Sequence, residues 1–176
     1  MSTKFLIAGF GGQGVILVGQ LLGLAATAAG RRATFYPSYG PEQRGGTANC
    51  SVVISDEEIG SPLVTRPDAL VCFNAAALNK FLPQLRPGGQ LFINSSLIPS
   101  EEVERKDIEL ISLPINSLAA ELGSDKVANI IMFGALVSRT GSVPLEYAEK
   151  IMLEKMARKP ELLELNKKAL LRGAQA

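Results

Sequence analysis

Two glycine-rich segments hold the residues of this 176-residue chain whose types and spacing could do chemistry. The first, GFGGQG, follows the apolar run KFLIA and places Gly9, Gly11 and Gly14 at the G-x-G-x-x-G spacing of a dinucleotide-binding turn. Backbone N–H groups at the start of the following helix, together with its dipole, would face an anion such as a phosphate. A steric role is the alternative, because a tight strand-to-helix turn needs positive φ and close helix–sheet packing.

The second segment, SYGPEQRGG at 38–46, combines Tyr39, Glu42 and Arg44 with the pair Gly45-Gly46. An arginine beside two flexible glycines can present a guanidinium and bare backbone N–H groups together, which suits a phosphate or a carboxylate. A structured loop with a solvated arginine is the alternative. If the strands before the two segments are parallel, both segments open at one edge of the sheet, where α/β proteins place ligands.

A nicotinamide or flavin site also needs an acidic residue at the end of the second strand, to bind the ribose hydroxyls. That strand ends in FYPSYG, and the first acid after it is Glu42, inside the loop. Arg31 and Arg32 lie at the wrong end of the strand to contact a 2′-phosphate. We therefore expect NAD and FAD to bind poorly or not at all.

The composition excludes several other kinds of chemistry. The chain has no histidine and only two cysteines, so we expect no imidazole base, no metal site and no iron–sulfur cluster, which takes about four thiolates. Cys50 and Cys72 lie in apolar runs and are predicted to be buried. A net charge of +1 and 6% aromatic residues argue against nucleic acid. No apolar run approaches a membrane span or a signal peptide, so we expect a cytoplasmic protein without a membrane partner.

The hydrophobic pattern predicts an α/β fold. KFLIA, a helix over 13–29 and RATFY form a Rossmann-like βαβ unit, which implies parallel pairing and a right-handed crossover. A loop is predicted over 37–46 and a hairpin at 59–64. We expect one domain over 1–176, a three-layer α/β/α sandwich with a mostly parallel, mixed sheet. Its other strands are predicted at 47–55, 68–73, 90–94 and 108–113, and its other helices at 75–86, 115–122, 127–139, 144–158 and 161–172.

Taken together, the motifs resemble one known family. GFGGQG, the small-residue helix after it, SYGPEQRGGTANCSVVIS and IGSP are similar to the gamma subunit of 2-oxoacid:ferredoxin oxidoreductases. The resemblance is strongest over 5–62 and extends over nearly the whole chain in length and element order. The pairing of G-x-G-G-Q-G with a downstream R-G-G is specific, whereas either motif alone is not.

The resemblance implies a multi-subunit enzyme that oxidatively decarboxylates a 2-oxoacid to acyl-CoA and passes electrons to ferredoxin. Such complexes use thiamine diphosphate, Mg²⁺, iron–sulfur clusters and coenzyme A. Thiamine diphosphate sits between the alpha and beta subunits, and the cluster cysteines lie in beta or in a ferredoxin-like delta subunit. This chain alone would then be inactive and would bind no cofactor by itself. YGPEQRGGTAN is closer to the 2-oxoglutarate or branched-chain types than to the pyruvate type, and 2-oxoglutarate is the favoured substrate.

The resemblance also implies candidate binding residues, with no catalytic residue and no metal ligand in this chain. The first wall of a coenzyme A site would be Gly9, Gly11, Gly12, Gln13 and Gly14, and the second wall Glu42, Arg44, Gly45 and Gly46. Docking onto alpha and beta is an equally open role for the same residues. Three further alternatives remain: the small subunit of indolepyruvate ferredoxin oxidoreductase, a free-standing nucleotide-binding α/β protein, and a non-catalytic regulatory or scaffold domain.

Overall fold

The computed structural model describes residues 1–39 and 46–176. Within these ranges the chain alternates strands and helices in its first two thirds and is helical afterwards. The strands are β1 (Ser2–Phe10), β2 (Arg32–Tyr39), β3 (Thr47–Ser55), β4 (Ala69–Cys72), β5 (Gln90–Asn94) and β6 (Glu109–Leu113). The helices are α1 (Val15–Ala28), α2 (Ala75–Phe81), α3 (Ile115–Glu121), α4 (Ala128–Thr140), α5 (Leu145–Met156) and α6 (Leu163–Ala174).

The strands form one mixed sheet in the order β2-β3-β1-β4-β5-β6. The pairs β1–β4, β4–β5 and β5–β6 are parallel, whereas β3 runs antiparallel to both of its neighbours. Because β1 and β2 are both antiparallel to β3, they run in the same direction. The sequence-based prediction of an α/β fold with a mixed, mostly parallel sheet is confirmed.

The predicted parallel pairing of β1 with β2 is wrong, because β3 lies between them. The sequence offers the physical reason. Cys50, Val52 and Ile54 of β3 are fully buried, as an interior strand requires. Strand β2 carries Pro37, which has no backbone N–H to donate and is tolerated in an edge strand.

Helices cover both faces of the sheet unequally. The larger core lies on the face formed by alternate residues such as Phe5 and Ile7, and it includes side chains of α1, α3, α4, α5 and α6. Leu6 and Ala8 point to the opposite face, where a smaller core includes side chains of α2. This division follows from the two-residue period of a strand, and it gives the predicted three-layer arrangement.

Several predicted boundaries need correction. Strands β3 and β5 have the predicted bounds. No strand forms at 59–64, where a hairpin was predicted, since this segment contains only bends and irregular backbone. The loop predicted over 37–46 is wrong at 37–39, because β2 continues to Tyr39, and residues 40–45 lie outside the described residues. The helix predicted over 75–86 ends at Phe81 and gives way to a short 3-10 helix with proline in its first turn.

Candidate functional site

The glycine turn that follows β1 lies at the edge of the sheet where the parallel strands end. Strand β2 ends at this edge and β3 begins there, because β2 runs in the same direction as β1. The backbone N–H of Gly11 donates a 2.9 Å hydrogen bond to the carbonyl oxygen of Gly46. The first glycine segment is therefore hydrogen-bonded directly to the last residue of the second segment. This agrees with the expectation that both segments open at one edge of the sheet.

The glycines of the first segment serve different structural purposes. A Cβ on Gly9 would lie 2.7 Å from Gln13 Oε1 and 2.9 Å from Phe73 Cβ, so this glycine is needed for packing. Gly14 has a φ of +84° and lies against the side chain of Asn129 in α4. Gly12 also has a positive φ, +93°, but a Cβ there would meet nothing within 4 Å. Steric packing therefore accounts for Gly9 and Gly14, and it leaves the space beside Gly12 open to a ligand.

The side chain of Gln13 is folded back onto the turn. Its Oε1 accepts hydrogen bonds from the backbone N–H of Phe10 at 2.7 Å and from Nδ2 of Asn74 at 2.9 Å. Asn74 in turn caps α2, since its Oδ1 accepts from the backbone N–H of Ala77 at 2.9 Å. The carbonyl end of Gln13 thus joins the β1 turn to the β4–α2 connection and leaves its amide NH₂ for other partners.

Helix α1 begins directly after the turn without a side-chain cap. Gly14 is its N-cap residue, and no acidic residue lies in its first turn. The N–H groups of a first turn have no partner within the helix itself, and the positive end of the helix dipole lies there. This end of α1 is consequently suited to an anion approaching past Gly12.

A cleft of about 410 Å³ lies between the two glycine segments. Its walls include Phe10, Ile16 and Tyr39 as well as the backbone of Gly12 and Gly46. Phe10 is 38% exposed and Tyr39 is 68% exposed, which is high for aromatic side chains. We call this space the first cleft; it combines apolar side chains with bare backbone.

A second cleft of about 230 Å³ shares Gly12 with the first and also contacts Gln13. It is lined mainly by amide side chains: Asn94 at the end of β5, Asn116 in the first turn of α3, and Asn129 in the first turn of α4. None of these three asparagines is among the residues predicted from the sequence. A signal was present for two of them, because LFIN ends β5 with Asn94 and LPIN places Asn116 three residues after β6.

Three of the candidate binding residues cannot be placed. Glu42, Arg44 and Gly45 lie outside the described residues, whereas Tyr39 and Gly46, on either side of them, lie at the first cleft. The structure thus brings together Gly11, Gly12, Gln13, Gly14 and Gly46 at one edge of the sheet. Gly9 supports this group by packing beneath the turn.

The two cysteines are buried, as predicted. Cys50 and Cys72 are free thiols with no exposed surface. Burial raises the pKa of Cys50 to about 12 and raises the pKa of Cys72 as well. Both thiols are thus held in the protonated, unreactive form.

Within residues 1–39 and 46–176, no three Cys, Asp or Glu side chains come together in a way that could hold a metal ion. None of the helices there combines the length and the hydrophobicity needed to cross a bilayer.

The fold and the glycine turn place the chain among Rossmann-like α/β proteins whose candidate site lies at the carboxyl ends of the parallel strands. Over residues 4–176 the sequence matches the family described as pyruvate ferredoxin/flavodoxin oxidoreductase. The chain belongs to this family, and the resemblance found in its sequence motifs is confirmed.

Individual relatives give a finer comparison. The 2-oxoglutarate synthase subunit KorC of Methanocaldococcus jannaschii is 37% identical over 92% of this chain and 87% of its own length. The ketoisovalerate oxidoreductase subunit VorA of Methanothermobacter marburgensis is 38% identical over 98% of this chain. This chain spans only 36% of VorA.

A solved structure agrees with the fold. The gamma subunit of a keto/oxoacid ferredoxin oxidoreductase from Geobacter sulfurreducens has a TM-score of 0.85 and 34% identity, over 98% of this chain and 96% of that one. The predicted type of protein, an oxidoreductase subunit of the gamma kind, is therefore confirmed. KorC and VorA are likewise named as enzyme subunits.

Proposed function

We propose that this chain is the gamma subunit of a complex that oxidatively decarboxylates 2-oxoglutarate to an acyl-CoA and passes the electrons to ferredoxin. The similarity to KorC, a 2-oxoglutarate synthase subunit that is 37% identical over 92% of this chain and 87% of its own length, supports this substrate. Ketoisovalerate is the second candidate substrate, and indolepyruvate the third.

The resemblance assigns the chemistry to other chains of the complex. Thiamine diphosphate and Mg²⁺ would lie between alpha and beta, and iron–sulfur clusters in beta or delta would carry electrons to ferredoxin. The composition of this chain supports a binding role, since it has no histidine and its two cysteines are buried. We expect the chain to act as one domain that completes the coenzyme A side of the active site.

The hydrogen bond from Gly11 N–H to Gly46 O carries this proposal. It holds Gly46, which directly follows Arg44 and Gly45 in the sequence, against the glycine turn, beside the open space at Gly12. The phosphates of coenzyme A bound there would accept hydrogen bonds from backbone N–H groups at the start of α1 and from the guanidinium of Arg44. Such charge-assisted hydrogen bonds are typically worth about 1.5–3 kcal/mol each.

The first cleft suits the adenosine end of the same molecule. Phe10 and Tyr39 line it and keep much of their surface exposed. Stacking of a base on an aromatic side chain contributes roughly 1–3 kcal/mol. The exposed aromatic surface and the bare backbone thus match the apolar base and the charged phosphates of one ligand.

The test is the coenzyme A dependence of the assembled complex containing Arg44→Ala. Loss of one charge-assisted contact should raise the apparent KM for coenzyme A about tenfold to a hundredfold. Arg44→Lys should recover part of this loss if the contact is bidentate. Arg32→Ala is the matched control, because Arg32 is an exposed arginine at the opposite end of β2. It should leave the KM unchanged.

Other outcomes would contradict this role of Arg44. Failure of Arg44→Ala to co-purify with alpha and beta would mean that the segment docks partner subunits. A large fall in the thermal midpoint of the isolated chain would make Arg44 a structural residue, since a solvated arginine normally contributes within about 0.5 kcal/mol.

The substrate is tested separately by turnover of the wild-type complex with 2-oxoglutarate, ketoisovalerate and indolepyruvate. We expect the highest kcat/KM with 2-oxoglutarate. A preference for either of the other acids would identify that acid as the substrate instead. It would not contradict the proposed coenzyme A site.

A further inference from the structure

The side of α1 that faces away from the core carries no charge. The side chains of this helix that keep exposed surface recur at three- and four-residue spacing, so they form one continuous stripe. We call this stripe the α1 face; its residues are Ile16, Leu17, Gln20, Leu24, Thr27 and Ala28. Leu24 is 44% exposed. No charged residue occurs in the sequence between Lys4 and Arg31.

The other helices on the same face of the sheet differ from α1 in this respect. Helix α5 exposes Glu146 and Lys150, and α6 exposes Glu164 and Lys168. Among the helices that the structure describes, α1 is the one that contains no charged residue. A surface helix normally turns charged side chains toward water, whereas the centre of a protein interface is depleted of charge. The composition of the α1 face is therefore typical of a helix that another protein surface covers.

The α1 face is continuous with the proposed coenzyme A site. Ile16 and Leu17 line the first cleft, and Leu24 lies two turns further along the same helix. Subunits that complete the coenzyme A site have to reach the first cleft, which brings them next to the exposed side of α1. We propose that the α1 face binds an uncharged, apolar surface of the alpha–beta part of the complex, an inference that rests on the proposed function.

The size of the α1 face argues against a second copy of this chain as the occupant. A helix of 14 residues is about 21 Å long and about 10 Å wide, so one side of it offers roughly 200 Å². A stable interface buries about 800 Å² on each partner. Two copies joined through the α1 face alone would bury too little surface, whereas a partner that also covers the rim of the first cleft buries more.

The experiment measures the affinity of the full chain for purified alpha–beta by titration calorimetry. Leu24→Glu and Gln20→Glu each place a carboxylate on the α1 face, and each should weaken binding at least tenfold, because the charge is buried without a partner. Leu63→Glu is the matched control and should bind like wild type. Leu63 is a 58% exposed leucine that lies with Lys4 and Val53 on the other face of the sheet.

A second measurement separates docking from ligand binding. With enough Leu24→Glu or Gln20→Glu chain to saturate alpha–beta, the KM for coenzyme A should equal that of wild type, because these side chains contact the partner and not the coenzyme. The thermal midpoint of each isolated variant should also stay close to that of wild type, since Leu24 and Gln20 keep exposed surface. Gln20→Glu is the milder change and carries the test if Leu24→Glu does not fold.

Other results would overturn the proposal. Wild-type affinity in both α1 variants, an equal loss in Leu63→Glu, or unfolding of both α1 variants would each contradict it. A dimer of the isolated chain that the α1 variants dissociate, with alpha–beta binding unchanged, would make a second copy the occupant. Flotation of the isolated chain with phosphatidylcholine vesicles, lost in both α1 variants, would make a membrane surface the occupant.

The proposed function can fail separately. If Arg44→Ala raises the KM for coenzyme A while both α1 variants bind alpha–beta normally, only the inference about the α1 face is wrong. If the wild-type chain does not bind alpha–beta at all, the proposed function is wrong as well.

Discussion

The backbone of Gly11 is hydrogen-bonded to the backbone of Gly46 at 2.9 Å, across 35 positions of sequence. This bond joins the strand-to-helix turn after β1 to the start of β3. It is possible because β3 lies next to β1 and runs antiparallel to it, so that Phe10 pairs with Thr47 just inside the bond. The position of β3 in the sheet therefore fixes the spacing between the two glycine segments.

The first prediction concerns the packing role of Gly9. A Cβ at this position would approach Gln13 Oε1, Phe73 Cβ and Val15 Cγ2 at 2.7–2.9 Å. Gly9→Ala should therefore lower the free energy of unfolding by about 1–3 kcal/mol, as overpacking does. Urea denaturation of the isolated chain measures it, with Gly60→Ala as control, since a Cβ on Gly60 meets nothing within 4 Å. Equal stability of the two variants would show that the turn relaxes easily.

A second prediction concerns Gln13 as a structural as well as a ligand-facing residue. Gln13→Leu removes the acceptor for Phe10 N–H and for Asn74 Nδ2. We expect a loss of about 1–3 kcal/mol in the free energy of unfolding, because the partners are left unsatisfied. Gln175→Leu, at an exposed position near the end of α6, should change it little. A loss in the control as large as that in Gln13→Leu would contradict the specific role of these bonds.

The sequence predicted more of the elements than of their arrangement. Strands β3 and β5 were located to the residue because turn-forming residues bound short apolar runs. The pairing of β3 between β1 and β2 was missed, since pairing partners depend on contacts between distant residues. Pro37 in β2 and the continuous apolar run in β3 indicate, in retrospect, which strand lies at the edge.

The candidate site was also predicted only in part, because some of its residues form a local motif and others are brought together by the fold. The glycine turn is a local motif, so its residues could be read directly from the sequence. Asn94, Asn116 and Asn129 come together only because parallel strands end at one edge, which requires the strand order. Asn94 and Asn116 are nevertheless predictable in principle, because both are polar residues at or just after the ends of apolar strand runs.

The third prediction concerns the reactivity of the thiols. Cys50 and Cys72 are buried, and burial raises the pKa of both thiols above the usual range. Native protein at pH 8 should release no thionitrobenzoate from Ellman's reagent within an hour, and guanidinium-denatured protein should release two equivalents. One fast equivalent in native protein would show that a strand of the core opens locally.

A fourth prediction is a pH dependence of stability. Arg105 donates two hydrogen bonds to the Asp107 carboxylate, at 2.6 and 2.9 Å, and this lowers the pKa of Asp107. Arg105 also binds the carbonyl oxygens of Leu82 and Leu85, so the pair ties this segment to the end of the α2 region. Because the folded-state pKa is depressed, the stabilisation is present above the unfolded pKa of about 3.9 and is lost as the pH falls through the folded-state pKa.

Asp107→Asn should therefore be less stable than wild type at pH 7, and the difference should shrink as the pH falls below about 4 and vanish below the folded-state pKa of Asp107. Urea midpoints at a series of pH values measure this. Glu104→Gln is the control, since Glu104 is exposed and forms no ion pair with the described residues. If the stability difference between Asp107→Asn and wild type were constant with pH, the substitution would affect stability through packing and not through the charge of Asp107.

Amide hydrogen exchange on the assembled complex, with and without saturating coenzyme A, tests the central claim most directly. Coenzyme A should slow exchange in peptides covering 9–17 and 38–48, which include the glycine turn and the Arg44 segment. NADH at the same concentration should have no effect there, and β6, at the far edge of the sheet, should be unchanged by either ligand. Protection of both peptides by coenzyme A alone is the predicted result. If saturating coenzyme A left the exchange of both peptides unaltered, this result would contradict the proposal that the two glycine segments bind coenzyme A.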